Sequence, residues 1–179
     1  MPAVICLLRG VNVGGNNKIK MDVLRSICES LKLINPQTYI QSGNVVFGAP
    51  GKDLAALGGR IESAIEKSCG FRPDVVLRTL DEMRAVVTQN PFSAREGMEP
   101  GKLLVTFFDG DASAKIPLLK VTNEEWRLVG RELYIYFPIG QGQSKLSFAP
   151  FDRAPKIKWT GRNWNTVTKL AEMAASLEK

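Results

Sequence analysis

The 179-residue sequence contains no histidine. This absence excludes Ser-His-Asp and Cys-His catalysis, imidazole metal sites and the usual histidine pH switch. Cysteine is scarce, since only Cys6, Cys28 and Cys69 occur and no CxxC pair is present. Such spacing argues against zinc and iron–sulfur sites and is typical of a reducing compartment. We therefore expect no metal and no cofactor, and we expect Cys6 and Cys28, at apolar periodic positions, to lie in the core.

Long apolar runs are also missing. The apolar opening ends at Arg9, too early for a secretory signal. No other stretch approaches the roughly 20 apolar residues that a membrane span needs. Hydrophobic residues nevertheless make up 44% of the chain, which is enough to form a globular core. These features predict a cytoplasmic globular protein without a membrane partner.

The net charge of +6 is concentrated in two segments. Residues 1–20 carry Arg9, Lys18 and Lys20 and no acidic residue. Residues 145–170 carry six basic residues against Asp152 alone, so the remaining residues are net negative. If the two segments meet in the fold, they form one electropositive face for phosphate or carboxylate groups. The alternative is a solvated basic surface that binds nothing.

Hydrophobic periodicity in the first half of the chain predicts the order β-α-β-β-α-β. The Asn35-Pro36 pair is typical of a break after the first helix, and Ser42-Gly43-Asn44 of a tight turn. This order predicts a ferredoxin-like subdomain over residues 1–79. The predicted elements are strands at 2–8, 38–40, 45–47 and 74–77, and helices at 21–33 and 54–69.

The second half predicts a similar order, β-α-β-β-α, without a clear final strand. A capping box at Thr79–Glu82 begins a helix, and residues 91–101 form a linker. Glu124 and Glu125 are expected at the surface. Residues 80–179 thus predict a second subdomain, and the whole chain an α+β fold of two ferredoxin-like subdomains with antiparallel sheets. Its remaining predicted elements are strands at 102–108, 124–129 and 132–137, a short helix around 112–119 and a C-terminal helix from Trp164.

Three motifs resemble a widespread bacterial family, the domain of unknown function 1697. They are LLRGVNVGGNNKIKM from Leu7 to Met21, TYIQSGNVVF from Thr38 to Phe47, and GRNWNTVTKL from Gly161 to Leu170. Their order and approximate spacing follow the family across nearly the whole chain. The resemblance implies two ferredoxin-like subdomains. It implies no established reaction, cofactor or catalytic residue.

The segment GVNVGGNNK, after the first strand, is a candidate anion-binding loop. Asn16 and Asn17 stand where a P-loop has Lys and Ser or Thr, so a P-loop is excluded. Successive Gly and Asn residues can instead turn several N–H groups to one side as an anion-binding nest. The alternative is a loop that needs glycine for its turns and asparagine to cap them. The candidate binding residues of this loop are Arg9, Asn12, Gly14, Gly15, Asn17, Lys18 and Lys20.

Two further segments carry candidate binding residues. Gln41–Asn44 could present a hydroxyl and two amides beside the loop, through Ser42 and Asn44 among others, although its composition is that of a tight hairpin turn. Basic and amide residues also cluster before and at the start of the last helix, where free N–H groups favour anions. The alternative there is that Asn163 is merely an N-cap and the lysines are solvated. The candidates in this cluster are Lys156, Lys158, Arg162, Asn163 and Asn165.

Tyr134 and Tyr136 alternate with Leu133, Ile135 and Phe137 along one predicted strand. Ferredoxin-like RNA-binding domains stack bases on aromatic residues of the sheet. The RNA-binding signature is absent here, so the favoured interpretation is either interdomain packing or a half-buried sheet whose phenol hydroxyls reach water.

The leading functional hypothesis is binding of an anionic ligand, a phosphate-containing small molecule or nucleic acid, on a face built from the two basic segments. One alternative is an enzyme that acts on a small phosphorylated or carboxylated metabolite without a catalytic histidine. Another is a protein-protein interaction module that uses the tyrosine strand. The sequence leaves the oligomeric state open.

Overall fold

The structure is a computed structural model that describes residues 1–51, 53–152 and 157–179. The chain divides into two compact units. Unit 1 comprises residues 1–84 and 169–179, and unit 2 comprises residues 85–168. Each unit contains one four-stranded antiparallel sheet.

Unit 1 has the predicted βαββαβ order, and its strands are arranged β2-β3-β1-β4 in the sheet. This is the ferredoxin-like arrangement, in which the first and third strands are central. Both helices pack on one face of the sheet because their apolar residues recur at helical spacing. The elements are β1 (Ala3–Leu8), α1 (Met21–Ser30), β2 (Ile34–Thr38), β3 (Asn44–Gly48), α2 (Leu54–Cys69) and β4 (Val75–Thr79).

The core of unit 1 contains the two cysteines expected there. Cys6 projects from β1 and Cys28 from α1, and both side chains are buried. Burial raises the pKa of the Cys28 thiol to about 12, with a smaller contribution from the neighbouring Glu29 carboxylate. Cys28 is therefore a neutral packing residue at physiological pH.

Unit 2 repeats the same sheet order with different connections. Its strands are arranged β6-β7-β5-β8, so the two ferredoxin-like subdomains are confirmed. The crossover helices of unit 1 are replaced by short 3-10 segments at Ser113–Leu118 and Ala149–Asp152. The longer elements are α3 (Leu80–Thr88), β5 (Leu103–Phe108), β6 (Glu125–Val129), β7 (Glu132–Tyr136), β8 (Trp159–Asn163) and α4 (Trp164–Leu177), where α3 and α4 each continue into unit 1.

Two strand predictions were wrong. A final strand does exist, because β8 pairs antiparallel with β5 along its whole length. The second strand lies at Ile34–Thr38, not at 38–40, and it contains the Asn35-Pro36 pair that was predicted to be a break. Proline is tolerated there because β2 is an edge strand whose register shifts between Ile34 and Gln37.

The tyrosine strand does not present a stacking surface. Tyr134 is 1% exposed and Tyr136 is 2% exposed. The Tyr134 hydroxyl donates to the Val86 carbonyl at 2.7 Å, and burial raises the pKa of this phenol. The Tyr136 hydroxyl accepts from the Glu99 N–H at 2.9 Å. The expectation of a half-buried sheet with hydroxyls reaching water was therefore wrong, because both side chains are buried and their hydroxyls bond to backbone groups within unit 2.

The prediction that Glu124 and Glu125 lie at the surface was wrong for Glu124. This residue is buried, and its carboxylate accepts hydrogen bonds from the Ser144 hydroxyl and the Thr122 N–H. These two donors hold the pKa of Glu124 at about 2. Glu125 is half-buried and pairs with Arg95 at 2.7 Å.

Two searches of the described residues gave no candidates. None of their helices is long and apolar enough for a bilayer crossing. None of their Cys, Asp and Glu side chains form a cluster of three suited to a metal ion.

Candidate functional site

The loop between β1 and α1 is a small hairpin with glycine at its tip. The Asn16 N–H donates to the Val13 carbonyl at 3.0 Å and closes the turn. Gly14 and Gly15, the two central residues, have φ of +60° and +76°. Positive φ at both central positions is the requirement of a type I′ turn, which glycine meets without strain. All four residues are exposed.

Asparagine side chains hold this loop in place. The Asn12 side-chain amide donates to the carbonyls of Ile19 at 3.0 Å and Gln41 at 2.8 Å, and its oxygen accepts from the Ile19 N–H at 2.9 Å. The Asn17 amide donates to the Gly10 carbonyl at 3.3 Å. These hydrogen bonds to protein carbonyls hold the loop in its conformation, and the binding roles of Asn12 and Asn17 stay predictions.

A cleft of about 460 Å³ lies between this loop and the segment that precedes β3. Lys18 and Lys20 are exposed, and neither forms an ion pair with another residue in the described part of the chain. None of the described lining residues is acidic, so the charged side chains among them are both positive. The described lining residues are Asn12, Gly15, Lys18, Ile19, Lys20 and Gln41.

Helix α1 begins at this cleft. Lys20 occupies the N-cap position, and its side chain makes no capping hydrogen bond. The first N–H groups of a helix lack intrahelical partners and carry the positive end of the helix dipole. In the first turn, the Asp22 carboxylate accepts a hydrogen bond from the Val23 N–H at 2.9 Å. The Asp22 carboxylate therefore offsets the positive end of the α1 dipole, and the positive charge beside the cleft comes from the two lysines.

Arg9 is placed differently from the two lysines. Its guanidinium lies 3.8 Å from the Asp74 carboxylate, and the Arg9 backbone N–H donates to the Asp74 carbonyl at 3.0 Å. Arg9 is not among the described lining residues of the cleft. The carboxylate therefore offsets part of the charge that the sequence assigned to the loop.

The Gln41–Asn44 segment is a structural turn with one side chain in the cleft. Asn44 is fully buried, and its amide donates to the Tyr39 carbonyl at 2.9 Å and the Ser42 hydroxyl at 3.0 Å. Ser42 and Asn44 do not appear among the described lining residues, whereas Gln41 does. Gln41 is one of the two amide residues that the sequence placed beside the loop, whereas Ile19 has no signal in the sequence that marks it as a lining residue.

The predicted residues of unit 2 are largely used within that unit. Lys156 lies outside the described residues. Lys158 is half-buried, and its backbone exchanges two hydrogen bonds with Asp109, both at 3.0 Å. Arg162 is only 7% exposed and donates to the Thr160 hydroxyl at 2.8 Å. The Asp109 contacts join the start of β8 to the end of β5, and the Arg162 contact lies within β8.

The residue before α4, Asn163, caps the start of this helix. The Asn163 oxygen accepts from the Thr166 N–H at 2.9 Å, which is an N-cap contact. Asn165 is exposed on the first turn. The binding roles of these residues, and the joint face expected of the two basic segments, stay predictions.

The comparisons with known proteins agree with this fold. The solved structure of the conserved bacterial protein SP0830 from Streptococcus pneumoniae is similar, with a TM-score of 0.78 and 24% sequence identity. The likeness covers 97% of this chain and 98% of that one, and at this identity it concerns the fold. No curated protein matches the chain significantly. A family model described as "Protein of unknown function (DUF1697)" matches residues 1–134, which is most of the chain, and the chain therefore belongs to that family.

Proposed function

We propose that the chain binds a phosphate-containing small molecule in the cleft of unit 1. The observation that carries this proposal is the pair Lys18 and Lys20, two exposed cations in one cleft with no ion-pair partner among the described residues. Each lysine ammonium offers three hydrogen-bond donors to phosphate oxygens. Hydrogen bonds to a charged group are each worth about 1.5–3 kcal/mol.

Preorganisation supports the same site. Asn12 joins the loop to the Ile19 and Gln41 backbones, so the cleft exists before a ligand arrives. A preformed site loses less conformational entropy on binding than a loop that must first become ordered.

The size of the cleft favours a small ligand over a polymer. Small-molecule sites have volumes of about 300–1,000 Å³, and the cleft, at about 460 Å³, lies within that range. Among the described lining residues, the lysines are the only titratable ones, which favours binding over acid–base catalysis. The enzyme hypothesis would need a catalytic group supplied from elsewhere.

Isothermal titration calorimetry with ribose 5-phosphate tests the proposal. Lys18→Gln combined with Lys20→Gln removes both cations while keeping side chains of similar length. We expect at least about a tenfold loss of affinity, because two charge-assisted contacts are removed. The matched control combines Lys67→Gln with Lys145→Gln. It removes the same net charge from two exposed positions that are not among the described lining residues of the cleft.

Three results decide the proposal. Weaker binding in the cleft variant and unchanged binding in the control support it. An equal loss in both variants shows that only the net charge matters, which contradicts a defined site. The third result concerns binding of an oligonucleotide at different salt concentrations. If its affinity falls with salt as steeply as for proteins with roughly six to ten phosphate contacts, the ligand is nucleic acid and the small-molecule proposal is contradicted.

A further inference from the structure

Strand β6 forms one edge of the sheet in unit 2, and its outer side is unpaired in the described part of the chain. It pairs with β7 in continuous register over all 5 of its residues. The edge strand β2 of unit 1 contains Pro36 and a register shift, which hinder the addition of another strand. Strand β6 contains no proline and no register shift. Its outer edge is therefore open to a further strand.

The hydrogen bonds of β7 identify the backbone groups on this outer edge. In an antiparallel pair, residues that exchange hydrogen bonds alternate with residues whose groups point the other way. The Phe137 N–H donates to the Lys102 carbonyl at 2.9 Å, so the odd-numbered residues of β7 bond to β5 and the even-numbered ones to β6. The partners of these even-numbered residues on β6 are Glu125, Arg127 and Val129. The N–H and carbonyl groups of Trp126 and Leu128 therefore point away from the sheet.

The charges beside Trp126 are complementary to those of a second copy of the same strand. Glu125 and Arg127 flank Trp126 and lie on the same face of the sheet, because side chains alternate along a strand. If two copies of β6 pair antiparallel about a two-fold axis at Trp126, Glu125 of each copy lies opposite Arg127 of the other. These two residues then form a non-hydrogen-bonded pair, in which opposed side chains approach most closely. Opposite charges at such positions stabilise a sheet.

The other registers about a two-fold axis are less favourable. An axis at Glu125 or at Arg127 places that residue opposite its own copy, and like charges directly opposite each other destabilise a sheet. An axis at Leu128 places Trp126 opposite Gly130, which lies in the hairpin turn after β6 with φ of +60°. The axis at Trp126 is thus the one that combines extended backbone with two pairs of opposite charge.

We propose that the chain forms a two-fold symmetric dimer through β6, with the axis at Trp126. The backbone groups of Trp126 then exchange hydrogen bonds with those of its copy. The Arg127 guanidinium, which donates to the Trp126 carbonyl at 2.7 Å within one chain, turns to Glu125 of the other copy. Each Glu125 carboxylate then lies between that guanidinium and Arg95 of its own chain, which is 2.7 Å away. Pairing of this kind also removes an open edge that would otherwise favour aggregation.

Sedimentation velocity over a series of protein concentrations tests the dimer. We expect the mass of the wild type to rise from that of one chain to that of two. Arg127→Glu places two carboxylates opposite each other at both ends of the contact, and it is expected to weaken the dimer about tenfold. The matched control, Lys120→Glu, makes the same change in charge at an exposed position of unit 2 outside β6. This control is expected to leave the dimer unchanged.

A mixture of two variants separates the contact from an effect on folding. Glu125→Arg alone is expected to weaken the dimer as Arg127→Glu does, because like charges again face each other. When the two variant chains are mixed, each pair of facing residues has opposite charges, so the mixture is expected to dimerise where neither variant does alone. Hydrogen exchange of the wild type tests the register, since the Trp126 and Leu128 amides should become protected as the protein concentration rises.

Four results would overturn the proposal. The first is a wild type that remains a single chain over the whole concentration series. The second is a dimer that Arg127→Glu leaves intact, or that Lys120→Glu weakens as much, because the contact then does not depend on β6. The third is a mixture of the two variants that does not dimerise. The fourth is concentration-dependent protection that excludes the Trp126 amide, because the axis is then not at that residue.

Discussion

Replacing Gly43 by alanine is expected to destabilise unit 1 strongly. Gly43 has φ of +87°, and a Cβ placed on it would lie 2.6 Å from Val11 Cγ2 and 2.9 Å from Leu8 Cβ. Its carbonyl accepts the Leu8 N–H at 2.9 Å, so the turn cannot move away without losing this bond. The turn that precedes β3 is therefore packed directly onto the end of β1.

Two costs determine the magnitude. Left-handed backbone costs a non-glycine residue about 1–2 kcal/mol. Overpacking a rigid contact costs about 1–3 kcal/mol more. Alanine also reduces the entropy of the unfolded chain, which offsets about 0.4–1 kcal/mol. The expected net destabilisation of Gly43→Ala is therefore about 1–4.6 kcal/mol.

Two other glycine-to-alanine substitutions serve as matched controls in unit 1. Gly14 has φ of +60° and open space around a Cβ, so Gly14→Ala isolates the backbone cost, and with the same unfolded-state offset its net destabilisation is about 0–1.6 kcal/mol. Gly59 lies inside α2, also with open space, so Gly59→Ala is expected to stabilise the protein by about 0.5–1 kcal/mol.

Urea denaturation followed by far-ultraviolet circular dichroism measures these effects. Tryptophan fluorescence would report on the wrong unit, because Trp126, Trp159 and Trp164 all lie in unit 2. The expected order of stability is Gly59→Ala, wild type, Gly14→Ala and then Gly43→Ala. If Gly43→Ala costs no more than Gly14→Ala, the close packing of this turn onto β1 is refuted.

Three more predictions concern buried polar and thiol groups. Thr106→Val is expected to raise the urea midpoint by an amount equivalent to about 1 kcal/mol, because the buried hydroxyl finds no hydrogen-bond partner among the described residues; a lower midpoint would contradict this. The pKa of Glu124 is about 2 in the folded state against an ordinary 4.5, so its stabilising contribution is present above pH 4.5 and is lost as the pH falls towards 2. The stability difference between wild type and Glu124→Gln should therefore shrink between pH 7 and pH 3, and a constant difference would refute the assignment. In the native protein a thiol-specific disulfide reagent should label half-buried Cys69 and spare Cys6 and Cys28, and mass spectrometry of the labelled peptides would reveal any other pattern.

Local sequence signals predicted the elements that depend on local contacts. The capping box at Thr79 is one case, since the Glu82 carboxylate accepts the Thr79 N–H at 2.8 Å and the Thr79 hydroxyl accepts the Glu82 N–H at 3.1 Å. The N-cap role of Asn163 is another, and it was weighed as an alternative. In both cases the donor and acceptor are three residues apart, so the pattern is visible in the sequence.

Tertiary contacts decided the features that were missed. The β8 sequence WTGRN shows no apolar alternation, and it is a strand because β5 pairs with it. Pro36 suggests a break, but an edge strand accommodates it. Glu124 is buried because Ser144, twenty residues later, donates to its carboxylate. None of these partners can be identified from local sequence alone.

The candidate site was predicted in part for the same reason. Lys18 and Lys20 were found because an acid-free basic segment is visible without a fold. The Gln41 carbonyl accepts a hydrogen bond from Asn12, 29 residues earlier, and this contact with the loop is not visible in the local sequence. Ile40 has a positive φ of +49°, and no residue type in that turn predicts this backbone conformation.

The central claim is that the cleft beside Lys18 and Lys20 is a phosphate site. The most direct test is a titration of the ¹⁵N-labelled chain with ribose 5-phosphate, followed by amide chemical shifts. We expect saturable shifts at Gly15, Ile19 and Gln41, and their loss in the double lysine-to-glutamine variant. Shifts that do not saturate, or saturable shifts that occur only in unit 2, would contradict the claim.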